Sequence, residues 1–396
     1  MEVKIEGIND QGKGVCFIDN KVTFVDKTTI GDIIKIKLIE KHSKYNIGKV
    51  VKYIEKSDKR VDSYCPYQEE CGGCDIPYLS YNDTLEYKKD KVRRNLKKLA
   101  KIEKDIDIIP SPKHLNYRNK ITLHISNGVI GYYKERSYEV INILECKIAN
   151  DEINKFIPYI KVFGIKNGEV VIRCNYNNEL LINFITKDPI IIPVIKDLKI
   201  AGILKNGTIL QGDSKFMELV NNKFFQVSYD SFFQVNRDIC SKLFDLVKEN
   251  ILPNSNVVDL YCGVGTLGIN VSDIVNKVYG IEIIPNAIMN AVVNAKINKC
   301  NNEEFMLGDA TKVLPKINDK IDVVICDPPR QGLDKGVIDT IKSLDVKQII
   351  YISCDPITLS RDINFLSDKY ELNKIVALDM FPFTYHVESV TLLSLK

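Results

Sequence analysis

From about residue 229 the chain alternates apolar runs of strand length with stretches long enough for a helix, and this pattern constrains the fold more than any other feature. The runs NVVDLYCG, KVYGIEI, EFMLGDA, IDVVICDPPR and QIIYISCDP read as five buried strands, each followed by a helix. Parallel strands need helical crossovers that cover both faces of the sheet, so a doubly wound α/β sheet is predicted for 229–396. A final pair, NKIVALDMFPF and VESVTLLSLK, is expected to close it with an antiparallel edge. Open sheets of this kind bind ligands beyond the carboxyl ends of their strands, and here those ends carry reactive residues. Gly263 and Gly265 follow the first strand and let backbone approach a ligand over a helix start. Glu282 ends the second, where an acid can accept both hydroxyls of a ribose. Asp309 and Asp327 end the next two. A nicotinamide enzyme would explain the glycines and Glu282, but not a strand ending in Asp-Pro-Pro. Cys354 ends the fifth, directly before the turn-forming Asp355-Pro356. Taken alone it reads as a core thiol, because free cysteines are commonly buried.

The remainder divides further. Residues 1–56 show short, evenly spaced strands and predict a small β-barrel. Thirteen basic against nine acidic residues in 1–60 suit RNA, and equally suit lysines that protect strand edges. A cysteine-bearing loop (57–80) leads into a helix (81–108) with Leu85, Val92, Leu96 and Leu99 on one face. Nine Lys/Arg against three Asp/Glu over 86–104 predict a basic opposite face, solvated or in contact with nucleic acid. Residues 109–228 are mostly β in pattern and are expected to form a separate antiparallel domain. No apolar run approaches the ~18 residues of a membrane span. The opening MEVKIEGIND has no signal-peptide character, so a cytoplasmic protein with reduced thiols is expected.

The series DLYCGVGTLG, GIE, GDA, DPPR, SCDP and HVESVTLL, with SFFQVN at 231–236, resembles the S-adenosylmethionine-dependent RNA uracil-5-methyltransferases along essentially the whole chain. The resemblance implies a Rossmann-like methyltransferase sheet in which Gln234, Tyr261, Glu282 and Asp327, with Thr266 and Asp309, line the cofactor site beside Gly263 and Gly265. It also gives the thiol a task. C5 of uracil is a poor nucleophile, but a thiolate adding to C6 makes C5 part of an enolate that can accept a methyl group, and Cys354 is the candidate. The C5 proton must then leave, and Glu388 fits as the base by resemblance and by its place in the adjoining strand.

Cys65, Cys71 and Cys74 form a C-x5-C-x2-C loop, and Cys146 is a plausible fourth ligand. The residue types suit zinc or a cubane iron–sulfur cluster. The resemblance implies a [4Fe–4S] cluster on these four positions, in a central β-rich iron–sulfur domain. It further implies that the barrel is an OB-like TRAM domain, that Arg118 lies near the RNA, and that 23S ribosomal RNA is the substrate; a loop uridine as target and a monomeric enzyme are expected. The same reaction on transfer RNA, a DNA amino-methyltransferase, and a non-catalytic RNA-binding assembly factor are the competing readings. Intact Cys354, Glu388, Gly263 and Gly265 argue against the last.

Overall fold

The computed structural model describes residues 1–396. Its first 55 residues form a six-stranded sheet around Ile5, Cys16, Ile18, Val25, Ile34 and Ile36. Three register shifts along the Ile33–Lys41 and Tyr45–Glu55 pair mark bulges, which twist and bend the long hairpin. A seven-stranded sheet spans Lys120 to Gly212, and its core includes Ile121, Leu123, Ile172, Ile182 and Phe163.

The C-terminal sheet holds β1 (Asn256–Leu260), β2 (Lys277–Glu282), β3 (Glu303–Leu307), β4 (Val323–Cys326), β5 (Gln348–Ser353), β6 (Tyr370–Leu378) and β7 (Glu388–Leu395). Their order is β3-β2-β1-β4-β5-β7-β6. Successive residues of one strand enter different cores: Val257 and Ile350 pack with Leu243 and Ile269, whereas Val258 and Ile349 pack with Leu260 and Ile363. That two-sided burial is why these strands read as continuous apolar runs.

Two features depart from the expected layout. The antiparallel strand β7 lies inside the sheet, between β5 and β6. The outer edge is taken by Asp107–Ile109, which pairs in parallel with Val376–Leu378 and leaves β6 no open edge there. The hairpin Lys215–Val220/Lys223–Ser228 has the β pattern of the preceding segment, yet Phe216, Val220, Phe225 and Val227 pack in the core of the C-terminal sheet.

Helix α1 (Tyr81–Asn95) begins at Ser80, whose hydroxyl accepts the Asp83 N–H. A wider turn, Leu96–Ala100, extends it until Lys101 adopts a left-handed conformation (φ 59°). Val92 and Leu96 are buried as expected, but Leu85 and Leu99 are only half-buried. Lys88 and Lys91 are buried instead, so the basic face is not wholly a solvent face. Each has a partner across the interface, which the linear pattern of charge does not reveal.

Candidate active site and four-cysteine cavity

Cys354 and Glu388 meet because of strand register. Antiparallel pairing of β5 with β7 sets Ser353 opposite Ser389, so the next step along each strand brings Cys354 and Glu388 to the same end of the sheet. Asp327 leaves the neighbouring β4 at that end, since Cys326 pairs with Tyr351. Burial pushes the Cys354 thiol up to about 12, helped by the negative charges of Glu388 and Asp327 and opposed by Arg330. Glu388 is 3 % exposed. Burial and then the Asp327 charge raise its carboxyl well above the ordinary range, again against Arg330. Asp327 is raised as well, by burial. Burial and the neighbouring acids therefore disfavour the charged form of both thiol and carboxyl.

Arg330 belongs to the DPPR run, yet nothing in its sequence position marks it for a role. Its guanidinium lies 3.3 Å from His386 Nε2. Burial, then the charge of Arg330, pushes His386 down to about 3, so the imidazole is neutral and its Nε2 can accept from Arg330. Arg330 is the one cation acting on both Cys354 and Glu388.

Beside this cluster a cavity of about 50 Å³ is lined by Gln234, Tyr261, Gly263, Thr266 and Asp327, among others. The backbone carbonyl of Gln234 is held by Asn119 Nδ2 at 3.1 Å. Tyr261 has φ 63°, an uncommon conformation for a bulky residue of the kind that concentrates at functional sites. Gly263 is also left-handed (φ 55°), and a Cβ there would meet nothing within 4 Å, which leaves its backbone open to a ligand. Gly265 differs: a Cβ would press on Ala291, Ile269 and Phe305 at 3.2 Å, so this glycine serves helix packing.

Glu282 lies under the same loop. Its Oε2 accepts the Gly263 N–H at 3.1 Å, and its Oε1 accepts those of Ile283 and Ile284. Asp309 does not line the cavity. Its Oδ1 accepts the Thr311 N–H at 2.8 Å and the Thr311 hydroxyl at 2.6 Å, as a helix cap.

Cys65, Cys71, Cys74 and Cys146 line one separate cavity of about 220 Å³ with Arg118, Tyr64 and Tyr132. Burial raises the Cys71 thiol to about 11 and that of Cys74 further. The expected metal site needs one correction: no three Cys, His, Asp or Glu side chains converge as ligands of a single ion. The ligand set expected for zinc or for an iron–sulfur cluster is therefore not assembled as one converging group. The four thiols share the wall of one larger space. Arg118 is part of this wall, and its Nε donates to the Lys120 carbonyl at 2.9 Å.

A sheet of this order, with a glycine loop, acids at successive strand ends, and a thiol and a buried carboxyl at the same end of two paired strands, has the layout of a methyltransferase-type nucleotide site. Comparison with known proteins specifies it. A family model described as tRNA (uracil-5-)-methyltransferase matches residues 213–396, and a TRAM domain model matches 1–51. A Clostridium acetobutylicum protein described as an uncharacterized RNA methyltransferase is 35% identical, over 99% of this chain and 96% of its own length. One from Halalkalibacterium halodurans with the same description is 32% identical over 100% and 97%. Among solved structures, a Pyrococcus abyssi tRNA (uracil-54, C5)-methyltransferase in complex with S-adenosyl-L-homocysteine superposes with TM-score 0.83 at 28% identity, covering 99% of both chains. The chain belongs to the RNA uracil-5-methyltransferase family and carries that family's TRAM domain at its N-terminus.

Proposed function

We propose that the protein methylates C5 of a uridine in RNA, with Cys354 as nucleophile and Glu388 as base. The observation that carries this reading is the placement of a half-buried thiol and a buried carboxyl at the same end of the paired strands β5 and β7, close enough for the Glu388 charge to raise the thiol. S-adenosylmethionine, when bound, supplies a methyl group activated on a sulfonium. Gln234, Tyr261, Gly263, Thr266 and Asp327 would hold it in their shared cavity, with Glu282 beneath the loop and Asp309 at the next strand end. Cys354 gives its proton to solvent and adds as thiolate to C6 of uracil, and C5 of the resulting enolate takes the methyl group, which would leave the sulfonium donor as a neutral thioether. Glu388, as carboxylate, then takes the C5 proton, and the electron pair left at C5 expels Cys354 as thiolate, which restores the nucleophile. A carboxylate surrounded by burial and the Asp327 charge is a stronger base than one in water, which suits removal of a proton from carbon.

The RNA-facing surface includes the outer face of the TRAM domain. Lys35 pairs across the strands with Lys52, and Lys37 with Lys49, all exposed. Like charges placed opposite one another destabilise a sheet, and phosphate binding would offset that cost.

A [4Fe–4S] cluster on the four cysteines is part of this reading, because all four line one cavity. Held by Cys65, Cys71, Cys74 and Cys146, it would cross-link the 65–74 loop to the central domain and leave no iron free for substrate. Anaerobically prepared protein is expected to carry about four irons per chain, measured by elemental analysis; stoichiometric zinc without iron contradicts the assignment.

Two RNA classes compete as substrate. The expectation of 23S ribosomal RNA rests on the barrel and cysteine loop being features that transfer RNA enzymes lack. The Pyrococcus abyssi protein, named for transfer RNA, aligns over 99% of this chain, so that architecture favours neither class and its name supports the second. Initial rates on unmodified 23S fragments and unmodified transfer RNA, at one salt concentration, separate the two. A higher rate on transfer RNA removes the ribosomal reading, and the converse removes the other.

A further inference from the structure

Lys88 is 0 % exposed, on the α1 face turned toward the turn between β6 and β7. Its Nζ is paired with Asp379, also 0 % exposed, and donates to the Phe381 carbonyl at 2.8 Å. Asp379 is fixed from a second side by Tyr81, whose hydroxyl donates to Oδ2 at 2.7 Å while accepting the Ser111 N–H at 2.7 Å. The Phe381 carbonyl also accepts the Thr384 hydroxyl at 2.9 Å, and that same oxygen of Thr384 accepts the His386 N–H at 3.2 Å. A continuous chain of hydrogen bonds thus runs from Lys88 to His386, two residues before Glu388. Lys91, one turn on, donates to the Tyr385 carbonyl at 3.0 Å. Burying an ammonium and a carboxylate costs several kcal/mol per ion before their attraction is counted, and a well-packed apolar pair would serve stability as well or better. The charged pair accordingly makes better sense as a device for orientation.

We propose that Lys88 is a positioning residue for the elimination step: by gripping Asp379 and the Phe381 carbonyl it holds the turn that aims Glu388 at the C5 proton. The proposal rests on the reading of Glu388 as the base. The turn carries Glu388 itself but reaches Cys354 through the contact of His386 with Arg330, so loss of the grip should slow elimination more than addition.

The test uses the full chain and in vitro transcribed transfer RNA and 23S fragments carrying uridine tritiated at C5. Tritium release reports elimination, and a denaturation-resistant protein–RNA band bearing labelled methyl reports addition and transfer. The variants are Glu388→Gln, Lys88→Met and Lys88→Met/Asp379→Asn. The double variant leaves no unpaired buried charge, so it decides the matter if Lys88→Met fails to fold. It should bind S-adenosylhomocysteine within about twofold of wild type. It should also release tritium about tenfold or more slowly, out of the ~10²–10⁴ a positioned base contributes, and accumulate adduct as Glu388→Gln does. Parallel loss of adduct and tritium release, loss of cofactor binding, or unchanged turnover overturns the proposal. If Glu388→Gln itself builds up no adduct, the base assignment falls and this inference with it. Adduct in Glu388→Gln but not in the double variant sinks the role of Lys88 alone.

Discussion

Cys354 faces a problem that its own environment creates. A thiol raised to about 12 by burial and by Glu388 and Asp327 holds little thiolate at neutral pH, so in the proposed mechanism the rate of addition depends on what shifts that balance. Raised values for both the thiol and Glu388 mean that the reactive forms grow as pH rises. Single-turnover adduct formation is therefore expected to climb steadily across about pH 6 to 9. Arg330 is the cation that favours both anions. Arg330→Met should slow adduct formation at neutral pH by about tenfold for each pH unit by which the thiol rises, with partial recovery in alkali. A flat profile, or one that Arg330→Met does not displace, would contradict this electrostatic role; rapid-quench measurements across the pH range decide it. Cys354, Glu282 and Asp327 could be singled out from sequence because each ends a strand, a place where chemistry is expected. Lys88 could not, since a lysine among nine basic residues reads as solvent-facing until its buried partner, 291 positions away, is in view.

At the scale of elements, the helix Thr266–Val271 that follows the glycine loop packs at Gly268 against two acids, buried Asp259 and half-buried Glu303. Asp259 Oδ2 accepts the Gly268 N–H at 3.0 Å, its Oδ1 has no partner, and neither oxygen of Glu303 has one. Burial raises Asp259 to about 7 and Glu303 to about 8, with the charge of Asp259 adding to the rise of Glu303. Unfolded carboxyls titrate near pH 4. A folded value above the unfolded one means stability that is complete below about pH 4 and is lost as pH rises through the folded values. Thermal melts should accordingly show Tm falling from about pH 5 to 9, and Glu303→Gln, which mimics the protonated acid, should flatten that fall. An equal slope in the variant would show that Glu303 does not titrate as described. The sheet itself was legible because strands buried on both faces leave continuous apolar runs. Its edge was not, because Asp107–Ile109 is too short to carry a pattern, and the 215–228 hairpin reads as β whichever core it joins.

For the whole molecule, the arrangement puts one RNA-binding module and one cysteine-lined cavity around a single reaction centre. The barrel is tied down directly: Tyr87 OH accepts the Gly12 N–H at 3.1 Å, Tyr78 OH donates to the Thr28 carbonyl at 3.1 Å, and Arg60 pairs with buried Asp32 at 2.8 Å. Its exposed lysines should therefore act on RNA as part of a rigid body. Changing Lys35, Lys37, Lys49 and Lys52 to Gln should lower the slope of log affinity against log salt by up to ~0.7–0.9 for each phosphate no longer neutralised, and leave S-adenosylhomocysteine binding unchanged. An unaltered salt slope would remove this face from the interface. The most direct test of the central claim is peptide mapping of the adduct trapped by Glu388→Gln on uridine-containing RNA. The expected product is a methylated uridine joined to the peptide that contains Cys354, with no adduct or turnover in Cys354→Ala. Attachment at another residue, or turnover retained in Cys354→Ala, would contradict it.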